Sequence, residues 1–224
     1  MRRIAVVLSF IVALSMIMCC NCYAINDQMH TDDSKKIVLT FDDGPHPYQT
    51  RQIMDVLDKY GIKATFFVIG INAQNYPEII REVVARGHEI GNHTHTHSHA
   101  ARLDQAALER QILDCEKEIH LKTGKSVKLF RPPEGAMNAQ MRQLVRKLGY
   151  ITVLWNLDTK DWAHTPPEVI SDYIIQNAKN GDIILMHDYI GANSPTVDAL
   201  ERFIPVLIEK GFTFVTVGEL LQNK

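Results

Sequence analysis

Five short blocks of the 224-residue chain concentrate side chains that can bind a metal or move a proton. The first is Thr40-Phe41-Asp42-Asp43-Gly44-Pro45. Adjacent carboxylates at a strand end point in different directions, so one can ligate a metal while the other handles a proton. The competing reading is a turn, because Asp-Gly-Pro is good turn chemistry. The second block, Gly91-Asn92-His93-Thr94-His95-Thr96-His97-Ser98-His99, alternates four histidines. Neutral imidazole is the commonest protein metal ligand, and four in one run are hard to explain as structural residues. Conformation decides which of them bind: in a continuing strand all four share a face, whereas in a tight turn His93 and His97 converge. In the third block, Phe130-Arg131-Pro132-Pro133-Glu134-Gly135, two prolines stiffen the backbone and Arg131 can hold a carboxylate by two parallel hydrogen bonds. Asp158-Thr159-Lys160-Asp161-Trp162 and Leu185-Met186-His187-Asp188 complete the set. The plain reading of the third block is a surface loop with a solvated arginine, and a histidine ending a strand, as His187 does, could as easily be a satisfied core residue, so the last two blocks are weak signals taken singly.

Each block directly follows a short apolar or β-branched run, and those runs supply the elements that must position it. The strand candidates are Ile37–Phe41, Ala64–Ile69, His88–Gly91, Lys128–Arg131, Ile151–Trp155, Asp182–His187 and Phe212–Val215. Between them apolar residues recur at helical spacing: Ile53, Leu57 and Tyr60; Leu108, Ile112, Cys115 and Ile119; Met141, Leu144, Val145 and Leu148; Leu200, Ile204, Leu207 and Ile208. Cys115 lies on one of these stripes and reads as a small buried hydrophobe rather than a nucleophile. Thr165, Pro166 and Glu168 supply an N-cap, an N1 proline and an N3 carboxylate, and Asn180-Gly181 supplies a stop. Alternating strand and helix imply parallel strands wound by crossover helices, either closed as a barrel or open as a doubly wound sheet. In such folds the site lies at the C-terminal ends of the strands, where all five blocks fall. No G-x-G-x-x-G follows the first strand and no Walker loop occurs, which argues against dinucleotide and nucleoside triphosphate chemistry.

In this order, the five blocks resemble the motif set of the polysaccharide deacetylase (NodB-homology) family, carbohydrate esterase family 4, over about Lys35 to Glu219. The signal is specific: T-F-D-D-G-P, then H-T-x-x-H about fifty residues on, then R-P-P, D-x-x-D-W and L-x-H at later strand ends. The resemblance implies an α/β fold, a distorted (β/α) barrel with about seven parallel strands. It implies an N-deacetylase that hydrolyses the acetamide of N-acetylglucosamine units in a polysaccharide to a free amine and acetate. Asp43, His93 and His97 would bind one divalent metal, usually zinc, although such a donor set also accepts cobalt, nickel or manganese. Asp42 would be the general base, oriented by Arg131. His187 would be the general acid, its charge state set by Asp158, with Asp161 as the alternative partner. Trp162 and Leu185 would wall the acetyl-methyl pocket, and a backbone N–H of the Pro133-Glu134-Gly135 turn would face the developing oxyanion. His95 and His99 match no ligand position. Glu134 stands where the family more usually carries an aromatic residue.

The ends and the composition bound the setting. Arg2 and Arg3 precede an apolar run from Ile4 to Met18, and Cys22-Tyr23-Ala24 offers a cleavage site, so residues 1–24 read as an export signal. The run is shorter than the ~20 residues of a membrane-spanning helix, and an uncleaved anchor is the alternative. Met16-Ile17-Met18 before Cys19 lacks the small residues expected of a lipoprotein signal. Residues 25–35 read as a flexible leader and 36–222 as one catalytic domain. Removing the signal leaves Cys115 alone, so no disulfide framework follows. Formal net charge is -2, about -4 for the mature chain, with no Lys/Arg cluster to hold a phosphate backbone, so nucleic acid is not an expected partner. The expectation is a secreted or cell-wall monomer acting on an N-acetylated glycan, with peptidoglycan as the leading substrate. The rival readings are a non-catalytic carbohydrate-binding protein on the same fold and an exported metal-sequestering protein built on the histidine cluster.

Overall fold

A computed structural model describes residues 35–222. The expected signal segment and nearly all of the leader lie outside the described residues. Lys35, assigned to the leader, already belongs to the first strand and pairs with Phe212. Among the described residues, eight parallel strands form one sheet: β1 (Lys35–Asp42), β2 (Thr65–Val68), β3 (Glu89–Asn92), β4 (Leu129–Phe130), β5 (Ile151–Thr152), β6 (Leu157–Asp158), β7 (Asp182–His187) and β8 (Phe212–Phe214). Seven of them run in the order β5-β4-β3-β2-β1-β7-β6. The long β1 carries β7 along one edge, while its other edge is shared by β8 at Lys35–Ile37 and β2 at Thr40–Asp42.

Among the described residues, eight α-helices surround the sheet: α1 (Gln49–Lys59), α2 (Gly70–Asn75), α3 (Pro77–Ala85), α4 (Gln105–Thr123), α5 (Ala139–Lys147), α6 (Pro167–Asn177), α7 (Thr196–Glu209) and α8 (Val217–Gln222). The period-two alternation of β1 sorts its side chains between two cores. Ile37, Leu39 and Phe41 face the helices and join the buried stripes Ile53 and Leu57 of α1, Leu108, Ile112, Cys115 and Ile119 of α4, and Leu200, Ile204 and Leu207 of α7. Val38 faces the barrel interior with Phe67, Leu129 and Val153, and Val217 and Leu220 of α8 close this smaller core. On that interior face Thr40 and then Asp42 follow Val38 toward the C-terminal rim, so the strand that builds the core also aims the first carboxylate.

The barrel is distorted at a seam. The expected strand Ile151–Trp155 stops at Thr152, and Leu157–Asp158 forms a further short strand. Among the described residues no ladder joins β5 to β6. The carbonyls of Val153 and Leu154 turn inward and accept from Arg131 Nε and Nη2 at 3.2 and 3.3 Å. A buried guanidinium thus takes the place of a strand partner. The expected N-cap also shifts: Thr165 donates to the Lys160 carbonyl, and α6 begins at Pro167. Asn180 is not a helix stop but accepts from Lys36 N, and the N–H of Gly181 donates to the Lys36 carbonyl. Ile208, placed on the α7 stripe, is 42% exposed.

Candidate active site

Asp42 ends β1 and is buried, its Oδ1 receiving Arg131 Nη1 at 2.7 Å. The same Nη1 donates to Thr40 Oγ1, and the guanidinium lies 4.1 Å over the Phe67 ring. Arg131 is therefore fixed from several sides and presents one nitrogen to one carboxylate oxygen, which leaves Asp42 Oδ2 unclaimed by the arginine, 3.7 Å from His93 Nε2. The two-bond clamp expected between them is a single bond, because the other guanidinium nitrogens hold the seam.

Asp43 occupies the left-handed region with φ 76°, a conformation costing about 1 kcal/mol for a non-glycine residue. That turn separates its carboxylate from that of Asp42 and points it at the histidines. The open choice between strand and turn for the histidine run is also decided by backbone: Thr94 and His97 both have positive φ, so β3 ends at Asn92 and the run folds back. His93 and His97 converge, with ring centroids 5.1 Å apart. Their Nε2 atoms lie 3.4 and 3.1 Å from Asp43 Oδ1, and one ligand atom from each of the three residues falls within 4.8 Å of the others. His95 turns away, its N–H donating to Gln111 Oε1, and His99 Nε2 pairs with Glu134 Oε2 at 3.1 Å.

The chemistry of these three donors fits a cation. His93 Nδ1 lies 2.8 Å from the Arg131 carbonyl, which can only accept, so the proton is on Nδ1 and the Nε2 lone pair faces the cluster. A backbone carbonyl fixing the outer nitrogen is the usual support of a metal-binding histidine. Asp43 Oδ1 is buried without a hydrogen-bond partner, an orphan acceptor opposite two imidazoles. Burial opposes charge on His93, yet Asp42 and Asp43 outweigh it and raise its pKa, so the cluster draws positive charge. Burial likewise pushes the Asp43 carboxyl up, but His93 and His97 bring it below its ordinary value. At the partly exposed His97 burial prevails and the pKa falls.

His187 ends β7 in register with Asp42, so the two face the same cleft from adjacent strands. Asp161, not Asp158, holds it. The fully buried Asp161 accepts from His187 N through Oδ2, and its Oδ1 lies 2.8 Å from His187 Nδ1. Thr196 Oγ1 also donates to Asp161 Oδ2. Asp158 Oδ1 instead accepts from Lys160 N and Trp162 Nε1. The reason is local: Lys160 adopts a left-handed conformation that starts a 3-10 turn over Asp161–Ala163, swinging Asp161 under His187 and leaving Asp158 at the rim. Burial alone would lower the His187 pKa, but Asp161 reverses this and pushes it up to about 9.

A cleft of about 510 Å³ collects Asp42, Asp43, His93, His97 and His187, with Leu185, Trp155, Asp158, Trp162 and Glu134 around them. Leu185 and Trp162 stand at its wall. Pro133 does not: it is buried and opens a 3-10 turn whose next residue, Glu134 with φ 58°, reaches the cleft instead. Within this turn Gly135 N and Ala136 N donate to Pro132 and Pro133 carbonyls, leaving the Glu134 N–H as the candidate donor to a ligand. Trp155 was missed. Its run looked like strand, and only the seam turns its ring onto Gly135 and over Arg131.

With this geometry in place, similarity to known proteins is decisive. The family model "Polysaccharide deacetylase" matches residues 30–153, more than half of the chain. The chain belongs to the polysaccharide deacetylase family. A peptidoglycan-N-acetylglucosamine deacetylase of Bacillus cereus is 44% identical over 195 residues, covering 86% of this chain and 91% of the relative. A chitooligosaccharide deacetylase of Sinorhizobium fredii is 37% identical over 187 residues, covering 79% and 87%. Among solved structures, a peptidoglycan N-acetylglucosamine deacetylase in complex with an N-oxidanyl-benzamide superposes with TM-score 0.82 at 34% identity, covering 85% of this chain and 89% of the other. As a polysaccharide deacetylase the chain is a hydrolytic enzyme, and the cleft just described is its candidate catalytic centre. Asp43, His93 and His97 are the residues that could hold a metal ion there.

Proposed function

We propose that this enzyme is exported and removes the N-acetyl group from N-acetylglucosamine units of peptidoglycan, with one zinc ion held by Asp43, His93 and His97. The observation that carries the reading is the β1–β7 register, which sets Asp42 and His187 side by side while separate partners, Arg131 and Asp161, orient them. Two imidazoles and one carboxylate are a donor set suited to zinc with positions left open, and a zinc ion bound there would supply Lewis acidity and lower the pKa of water.

The chain's own residues divide the proton work. Arg131 occupies Asp42 Oδ1, so Oδ2 is the atom that takes the proton of the attacking water. His187 Nδ1–H is committed to Asp161, so Nε2–H delivers the proton to the departing amine. A pKa of about 9 keeps that histidine charged at neutral pH, which suits an acid facing a poor leaving group. The Glu134 N–H, which its own turn does not use, would donate to charge developing on the acetyl oxygen, and Leu185 and Trp162 would exclude water around the methyl group. Support for peptidoglycan comes from the Bacillus cereus relative and from the export-like N-terminal sequence.

The test is acetate release from purified peptidoglycan and from N-acetylchitooligosaccharides, before and after chelation and with zinc restored. The expected result is release from both, faster on peptidoglycan, lost on chelation and recovered with zinc. Acetate release indifferent to chelation would sink the metal assignment, and none from any N-acetylated glycan would sink the reaction.

A further inference from the structure

We propose that Tyr48, His46 and Tyr189 form a second sugar subsite, an aromatic platform that seats a pyranose ring next to the unit being deacetylated. The inference rests on the glycan deacetylase reading and adds where the neighbouring sugar lies. His46 and Tyr48 follow the Asp42–Pro45 turn, and Tyr189 stands two residues beyond His187. Because β1 and β7 pair with Asp42 opposite His187, these two loops leave the catalytic centre side by side. Their rings meet: His46 stacks on Tyr189 with centroids 4.7 Å apart at 18°, and Tyr48 lies 6.0 Å from His46. Tyr48 is 74% exposed and Tyr189 44% exposed, so the cluster is open to solvent, outside the lining of the cleft but on the two loops that leave it.

Isolated exposed tyrosines need no explanation. These are held by a scaffold. His46 N donates to Thr50 Oγ1, which donates to the buried Asp188 Oδ2, tying the β1 loop to the residue after His187. His46 Nδ1 accepts from the N–H groups of Tyr48 and Gln49 at 3.4 and 3.3 Å, and Gln49 Nε2 crosses to the Gly191 carbonyl. Rings positioned before the ligand arrives lose little freedom on binding. A pyranose presents an apolar C–H face with hydroxyls at its rim, which matches stacked rings bordered by phenol hydroxyls.

The experiment measures binding of N-acetylchitotetraose to the full chain by calorimetry, beside acetate release from the same sugar. Tyr48→Ala with Tyr189→Ala should raise Kd and KM by about threefold or more, with kcat near wild type. Tyr48→Phe with Tyr189→Phe keeps the rings and should stay within twofold of wild type, and the exposed Tyr48→Ala alone covers the case of a misfolded double variant. Unchanged Kd in the well-folded alanine variants would overturn the platform. A wild-type chain that binds the tetraose, loses that binding in the alanine variants and frees no acetate would remove the deacetylase reading and leave the platform standing.

Discussion

At the scale of single residues, the proposed mechanism assigns each proton an atom. Asp161 raises the His187 pKa to about 9, so the acid form persists at neutral pH and is lost as pH climbs through that value. Asp161→Asn removes the charge that favours imidazolium and should move the alkaline limb of the kcat/KM profile downward by about one unit or more. Asp158→Asn should leave that limb in place, because Asp158 bonds Lys160 N and Trp162 Nε1. A pH-rate series on both variants separates them; a shift in Asp158→Asn alone would reverse the assignment. The histidine run gives a second contrast. His93→Ala or His97→Ala should lower zinc affinity by about tenfold or more, whereas His95→Ala should leave metal content at the wild-type level, as measured by atomic emission. Both follow from two left-handed residues, Thr94 and His97, whose conformations no spacing rule in the run announces.

At the scale of elements, caps and close approaches hold the loops that carry these residues. The Asp104 side chain caps α4 by accepting from Ala107 N at 2.7 Å, and Gly124 ends the helix with φ 70°. Asp104→Ala should cost about 1 kcal/mol in a denaturant titration and leave kcat unchanged, since α4 supports the histidine loop through its middle, at Gln111 and the Ile112 carbonyl, and not through its capped end. Gly44 is a different case. A Cβ there would collide with the buried Asp188 carboxylate, which cannot withdraw without leaving Thr50. Gly44→Ala should therefore displace the Asp43 loop and reduce zinc binding together with turnover, whereas the Asp104 variant loses stability alone. The helical stripes of α4, α5 and α7 were legible because burial of one face imposes their period. The seam between β5 and β6 was not: Val153 and Leu154 look like strand residues, and their carbonyls leave the sheet only because Arg131 lies within reach.

At the scale of the whole molecule, Arg131 joins fold to function. It is fully buried, closes the seam through two carbonyls and balances Asp42. Arg131→Met would leave the Asp42 carboxylate buried without its cation and should cost about 3–5 kcal/mol in a denaturant titration, with turnover lost as well. A smaller loss would mean that water reaches Asp42 and that the barrel does not depend on the arginine. The chain's order of strands, helices and five polar blocks was enough to name the fold class and to gather the site, because period and position relative to strand ends are local properties written in consecutive residues. The choice of Asp42, Asp43, His93, His97 and His187 among the polar residues came from the resemblance of the five blocks to the deacetylase motifs, and these five line one cleft. Only the tertiary structure decided that Asp161 rather than Asp158 meets His187, that Glu134 rather than Pro133 reaches the cleft, and that Trp155 joins its wall. Each depends on a local departure of the backbone, at Lys160, at Glu134 and at the seam of Val153 and Leu154, and on a partner far along the chain, His187 for Asp161, His99 for Glu134 and Arg131 for Trp155, which consecutive residues do not announce.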